Sequence, residues 1–115
     1  MSPSTLDAAA SAIASEPRRR VLERLAQGDA TVTALAGMLE VSVPATLKHV
    51  DRLTEGGLIR REKVGRVVTV SLVPGGLDGL VEWAGRTRLF WDNHLDRYAS
   101  HLRGPAARSE GAPPT

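Results

Sequence analysis

Lys48 and Arg52 stand four residues apart in SVPATLKHVDRLTE, the spacing that puts two side chains on one face of a helix. Arg61, Lys63 and Arg66 follow within LIRREKVGRVVTVSL. Between Val41 and Leu72 six Lys and Arg residues stand against three acids, Asp51, Glu55 and Glu62, although the 115-residue chain has a formal charge of only +2. Positive charge concentrated in one stretch suits a polyanionic partner, and a phosphate backbone is the first candidate. The bland alternative is an ordinary solvated surface. The choice depends on whether the chain builds a scaffold that gathers these cations.

Residue types that would support other chemistries are missing from the sequence. It contains no cysteine, hence no thiolate metal ligand, disulfide or thiol nucleophile. It has no Ser-His-Asp arrangement within a supporting motif, no phosphate-binding P-loop and no dinucleotide-binding glycine pattern. The expectation is a protein that is not an enzyme and needs no cofactor. Residues 1–15 lack a cationic start followed by a long apolar run. No stretch approaches the roughly 20 apolar residues of a membrane span, so a cytoplasmic, non-membrane protein is expected.

The elements that must position the cations follow from hydrophobic periodicity. In TLDAAASAIAS, residues 5–15, Leu6, Ala9, Ala10 and Ile13 give a short amphipathic helix. Ser15 reads as the N-cap of a second helix, with Glu16 and Pro17 in its first turn, Val21, Leu22 and Leu25 inside and Gly28 at its end. Thr31-Val32 reads as a short extended link, with Thr33 capping a third helix that buries Leu35, Ala36 and Leu39. Ser42 caps a fourth helix, 43–55, in which Pro44 occupies the first turn, where its missing N–H is harmless. There Val43, Thr46, Val50 and Leu53 form an inward stripe, and Gly56-Gly57 closes the helix. Two helices joined by a very short turn make a helix-turn-helix. Runs 58–62 and 67–72 then have strand character around a turn at Lys63-Val64-Gly65-Arg66. A hairpin in that place is a wing, so the fold class is mainly α with a small β-hairpin, a winged helix-turn-helix.

All four aromatic residues, Trp83, Phe90, Trp91 and Tyr98, lie late in the chain. They fall on a last helix, about 77–102, where Leu77, Leu80, Ala84, Thr87, Trp91, Leu95, Tyr98 and Leu102 recur every three or four residues and Val81, Leu89 and Phe90 widen the stripe. So small a winged domain cannot cover a helix this long and apolar, and the surplus implies an interface. A small-molecule pocket is the alternative use of the aromatic cluster. The tail RGPAARSEGAPPT, 103–115, has no periodicity and is expected to be disordered, leaving one folded domain over 1–102.

The segments EPRRRVLERL, TVTALA, SVPATLKHVDRLTEGGLI and RREKVGRVVTVSL occur in the order found in the ArsR/SmtB family of bacterial winged-helix repressors, which the chain resembles over about residues 5–102. The C-terminal RLFWDNHLDRYASHL looks like a cysteine-free, non-metal branch of it. The resemblance implies a homodimeric transcriptional regulator, a repressor of its own operon, with double-stranded operator DNA as its partner. Recognition helix 43–55 would enter the major groove, and wing 58–72 would lie on the backbone or minor groove. The candidate DNA-contacting residues are Ser42, Pro44, Ala45, Leu47, Lys48, His49 and Arg52 on the helix, with Arg61, Lys63 and Arg66 in the wing. The first and last helices, about 5–15 and 77–102, would dimerise through Leu6, Ala10, Ile13, Trp83, Ala84, Phe90, Trp91, Leu95, Tyr98 and Leu102. The chain departs from the family pattern at Thr46-Leu47, where an apolar residue followed by serine is common. Leu47 would either touch a thymine methyl or turn inward. An effector ligand is compatible with the resemblance, but no residue identifies one.

Two rivals remain at this level. One is a winged-helix adaptor that binds proteins and not DNA. The other is a metal-responsive repressor using His94 and His101. Asp92-Asn93-His94 matches the first half of the family's Asp-x-His zinc motif, but His101 is followed three residues on by Gly104, not by a ligand. The two histidines are also about 10.5 Å apart along one helix, and TALAGMLE lacks the cysteine pair of the metal sensors, so no metal site is expected. Finally, Arg18, Arg19 and Arg20 open a helix at the end where its dipole disfavours cations. They call for partners: an acid within the dimer for one, a phosphate for another, or plain solvent.

Overall fold

In a computed structural model, which describes residues 5–103 and, at Ser100, His101 and Arg103, the backbone alone, the chain runs α1 (Thr5–Ala12), α2 (Glu16–Leu25), β1 (Ala30–Thr31), α3 (Val32–Leu39), α4 (Val43–Glu55), β2 (Ile59–Val64), β3 (Val67–Leu72) and α5 (Asp78–Arg103). The tail beyond Arg103 lies outside the described residues. The chain divides between Leu80 and Val81 into two compact units.

Each helix of the first unit starts where a side-chain oxygen is available to an orphan N–H. Ser15 Oγ accepts from Arg18 N at 3.4 Å, Thr31 Oγ1 from Ala34 N at 3.0 Å and Ser42 Oγ from Ala45 N at 3.2 Å. Thr31, not Thr33, therefore caps α3, which begins two residues earlier than its apolar periodicity indicates. Pro44 sits in the first turn of α4 as expected. The turn between α3 and α4 is closed by Glu40, a non-glycine residue at φ 58°. Its left-handed backbone lets Val41 N donate to Ala36 O at 3.2 Å, so three residues suffice to redirect the chain.

The core is aliphatic. Val21, Leu25, Leu35, Leu39, Val50, Leu53, Leu58, Ile59 and Val70 are buried together with Ala9, Ala12, Ala30 and Val32. Thr46 is the one buried polar residue among those described, and its Oγ1 donates to Ser42 O at 2.9 Å, so the helix itself satisfies the hydroxyl. Val43, placed by periodicity on the same stripe, is 40 % exposed. α1 ends at Ala12, short of the expected residue 15; its inward side is Ala9 and Ala12, while Leu6 and, just past its end, Ile13 are half-buried and Ala10 is exposed.

The sheet is antiparallel in the order β1-β3-β2. The two residues of β1 pair as Ala30↔Val70 and Thr31↔Thr69, turning the expected extended link into a third strand. In the wing β2 extends to Val64, which pairs with Val67. The turn is thus the two residues Gly65-Arg66, tighter than the four-residue turn expected. Gly65 at φ 63° occupies the first central position of a two-residue hairpin turn, where a positive φ matches the twist of the strands.

Candidate nucleic-acid interface

At about 100° per residue, Thr46, Val50 and Leu53 define the inward side of α4. Pro44 and Lys48 then point away from the core, Leu47 and Asp51 lie on one flank, and Ala45, His49 and Arg52 lie towards the other. The contacts agree with that geometry. Leu47 is half-buried against the core and lines a groove with Thr31, Val32, Thr33, Val43, Arg66, Val67 and Val68. Asp51 Oδ1 meets Arg61 Nη1 at 2.6 Å, so this flank faces the wing. On the other, Arg52 Nη2 donates to Ser11 Oγ at 2.9 Å and its Nε stands 4.0 Å from Glu55.

In the wing, alternate residues take opposite faces. Ile59 and its cross-strand neighbourhood around Val70 are buried, so Ile59, Arg61 and Lys63 share the side that faces the helices. Arg60 and Glu62 take the reverse side, opposite Ser71 and Thr69. Lys48, Lys63 and Arg66 are exposed and make no hydrogen bond or ion pair among the described residues. Arg61 and Arg52 are instead engaged, on Asp51 and Ser11. Of the ten candidates, the fold gathers Pro44, Lys48, Lys63 and Arg66 at the outer surface of one helix and its wing. Ser42 is committed to capping, and Leu47 turns inward.

His49 is half-buried. Burial, and secondarily the charge of Arg18, hold its pKa below the ordinary 6.5. It faces α2, not the wing. Because its folded pKa is depressed, the unfolded chain takes up this proton first as pH falls. Folding stability should therefore decline from about pH 6.5 downward and level off below the folded pKa. In urea titrations at pH 7.5 and 5.5, His49→Gln is expected to lose less stability over that interval than the unsubstituted protein; equal losses would place the titration elsewhere.

The arginine run has a use that sequence reasoning missed. Arg18 donates to Ala12 O at 2.6 Å and Ser11 O at 3.1 Å, Arg19 to Ile13 O at 2.8 Å and Arg20 to Met38 O at 3.2 Å. Among the described residues no acid pairs with them. The guanidinium groups satisfy carbonyls left over at the ends of α1 and α3, where cations also suit the helix dipole. Of the groove neighbours of Leu47, only Arg66 was a candidate; Thr31, Val32, Thr33, Val43, Val67 and Val68 were missed, their only signal being their place at the starts of α3, α4 and β3.

On α5 the apolar side chains stay accessible: Trp91 is 62 % and Phe90 76 % exposed. Leu89, expected to widen the stripe, lies on the opposite side of the helix by its angular position. Asp92 is paired to Arg88 at 3.7 Å, and no group of three or more potential metal ligands occurs among the described residues; the His101 side chain lies outside them. No helix among the described residues is long and apolar enough to cross a membrane.

Residues 15–60 match the family described as winged helix-turn-helix DNA-binding, and two relatives at 38 % and 33 % identity complete the class: a winged helix-turn-helix DNA-binding transcriptional regulator. The HTH-type transcriptional regulator Rv2034 of Mycobacterium tuberculosis is 38 % identical over 95 residues, covering 81 % of this chain and 84 % of that protein. The crystal structure of an ArsR family transcriptional regulator superposes with a TM-score of 0.72 at 33 % identity, over 80 % of this chain and 95 % of the other. An ArsR-like transcriptional regulator from Rhodococcus sp. RHA1 gives 0.68 at 27 % identity, over 86 % and 92 %. The chain belongs to the ArsR family of transcriptional regulators.

Proposed function

We propose that the protein is a homodimeric, sequence-specific repressor of its own operon, with α4 in the major groove of operator DNA and the β2–β3 wing on the backbone or adjacent minor groove. The observation that carries this reading is the gathering of Lys48, Lys63 and Arg66, uncommitted within the described residues, on the outer side of α4 and its wing. Such side chains lose no internal bond when they meet phosphates, and releasing condensed counterions supplies the affinity. Pro44 and Ala45 would approach the base edges, His49 and Arg52 the flanking backbone. The domain is proposed to span residues 1–102. Its dimer would form through α1, by Leu6, Ala10 and Ile13, and through the stripe of α5 containing Trp83, Ala84, Phe90, Trp91, Leu95, Tyr98 and Leu102. Of the residues assigned to the partner, Leu6 and Ala10 are not among those buried in the core, whereas Ile13, one residue past the end of α1, is already partly buried against it. Two half-sites one helical turn or a multiple apart would follow from the two-fold symmetry.

The test is fluorescence anisotropy on duplex DNA from upstream of the gene, at two salt concentrations, with random-sequence competitor. Tight, competitor-resistant and salt-sensitive binding is expected; binding that random DNA abolishes would overturn the specific-regulator reading. In the same assay Arg66→Ala should weaken binding to every duplex several-fold and reduce the slope of log affinity against log salt by about 0.9 per protomer, about 1.8 for the dimer. An unchanged slope would remove Arg66 from the interface.

A further inference from the structure

We propose that Asp51, oriented by Arg61, is a specificity-determining residue that accepts a hydrogen bond from the N4 amino group of a cytosine in the major groove. The proposal rests on the DNA-binding reading above. Asp51 stands one turn beyond Leu47 and Lys48 on the exposed side of α4, and its side chain is 50 % exposed. A carboxylate so placed is repelled by the phosphates on either side of the groove, so it contributes nothing to general affinity for DNA. Its ion pair with Arg61 is half-exposed at both ends, and pairs of that kind add little to stability. Neither folding nor general affinity explains an acid at this position.

Selectivity does. Arg61 Nη1 holds Oδ1 at 2.6 Å and offsets the charge, which fixes the side-chain rotamer. Oδ2 has no partner among the described residues. An ionised carboxylate only accepts hydrogen bonds, and the donors on the major-groove edges are cytosine N4 and adenine N6. Adenine sets its N7 acceptor beside that amino group, where it opposes a second carboxylate oxygen, so cytosine is the better partner. Where the base edge offers only acceptors, as guanine does with O6 and N7, the carboxylate is repelled. Asp51 thus discriminates by penalising wrong sequences as well as by rewarding the right one. Arg61, placed in the wing by β2, acts through Asp51 as a positioning residue.

In vitro selection from a randomised duplex pool tests this with the full-length protein and its Asp51→Ala, Asp51→Asn and Arg61→Gln variants, each checked by thermal denaturation. The unsubstituted protein should enrich a half-site with one strongly preferred cytosine. Asp51→Ala should lose roughly ten-fold of preference at that position alone while binding random duplex more tightly. Asp51→Asn should shift the position towards adenine, whose N6 and N7 match an amide. Arg61→Gln should weaken the same preference and leave other positions intact. A selected sequence identical for Asp51→Ala and the parent overturns the proposal, as does an even loss over all positions with random-duplex affinity unchanged. If the unsubstituted protein enriches nothing, the DNA-binding reading has failed, and this proposal with it.

Discussion

A Trp91→Glu variant is expected to sediment as a monomer at concentrations where the parent is a dimer, and to lose roughly 10²- to 10⁴-fold in affinity for a two-half-site duplex. Trp91 is 62 % exposed in the isolated chain and lies on the line of α5 that includes Ala84, Leu95 and Tyr98. A helix face of that composition is covered in the proposed dimer by a second copy. A carboxylate there would be buried without a partner, which costs more than most interfaces can offset. Each monomer would still carry an intact α4 and wing, so binding to a single half-site should persist at the weaker affinity. Leu89→Glu is the control, since Leu89 is equally accessible, at 69 %, but points away from the stripe; its dimer should be unaffected. Unchanged sedimentation of Trp91→Glu would exclude this face as the dimer core.

Gly56→Ala should destabilise the fold by about 1–3 kcal/mol, the usual cost of overpacking. Gly56 follows the last turn of α4 at φ −77°, a conformation open to any residue. Its need for glycine comes from α1. A Cβ at position 56 would stand 2.7 Å from Ala12 Cβ and 2.9 Å from Ala8 O. A flexible side chain could yield, but Ala8 O belongs to the backbone of α1, so the helix must move as a body. Since Arg18 and Arg52 hold the end of α1 through Ser11 and Ala12, displacement should also disturb Arg52. The check is urea denaturation of Gly56→Ala beside Gly57→Ala. Gly57 has free space around its absent Cβ but a φ of 74°, so it reports backbone strain without a clash. A Gly56→Ala midpoint equal to the parent's would mean that α1 packs less closely than described.

Local rules made most of the fold legible. Caps at Ser15 and Ser42, the 3.6-residue period of α2 to α5 and the change to strand character after Gly57 act between neighbours in the chain, so they can be read without knowing what packs where. Of the boundaries that moved, the start of α3 at the Thr31 cap and the two-residue turn at Gly65-Arg66 are local, whereas β1 was decided by a distant partner. β1 exists because Ala30 and Thr31 find β3 nearly forty residues away, and two residues carry no periodicity of their own. Val43 fits the inward stripe by spacing, yet at the first turn of α4 the core has already ended.

The candidate interface divides the same way. That cations are concentrated between Lys48 and Arg66, and that α5 carries a long apolar and aromatic stripe, is a matter of which residues are present and at what spacing; the sequence alone determined it. Which cations are available was decided by the tertiary structure. Arg61 and Lys63 look alike in the chain, but only Arg61 lies within reach of Asp51. Arg52 meets Ser11 of α1, and Arg18, Arg19 and Arg20 end on carbonyls of α1, the turn after it and α3. A charge is a property of one residue, whereas its freedom depends on every group the fold brings within about 3 Å of it, and that is set by packing between segments far apart in sequence.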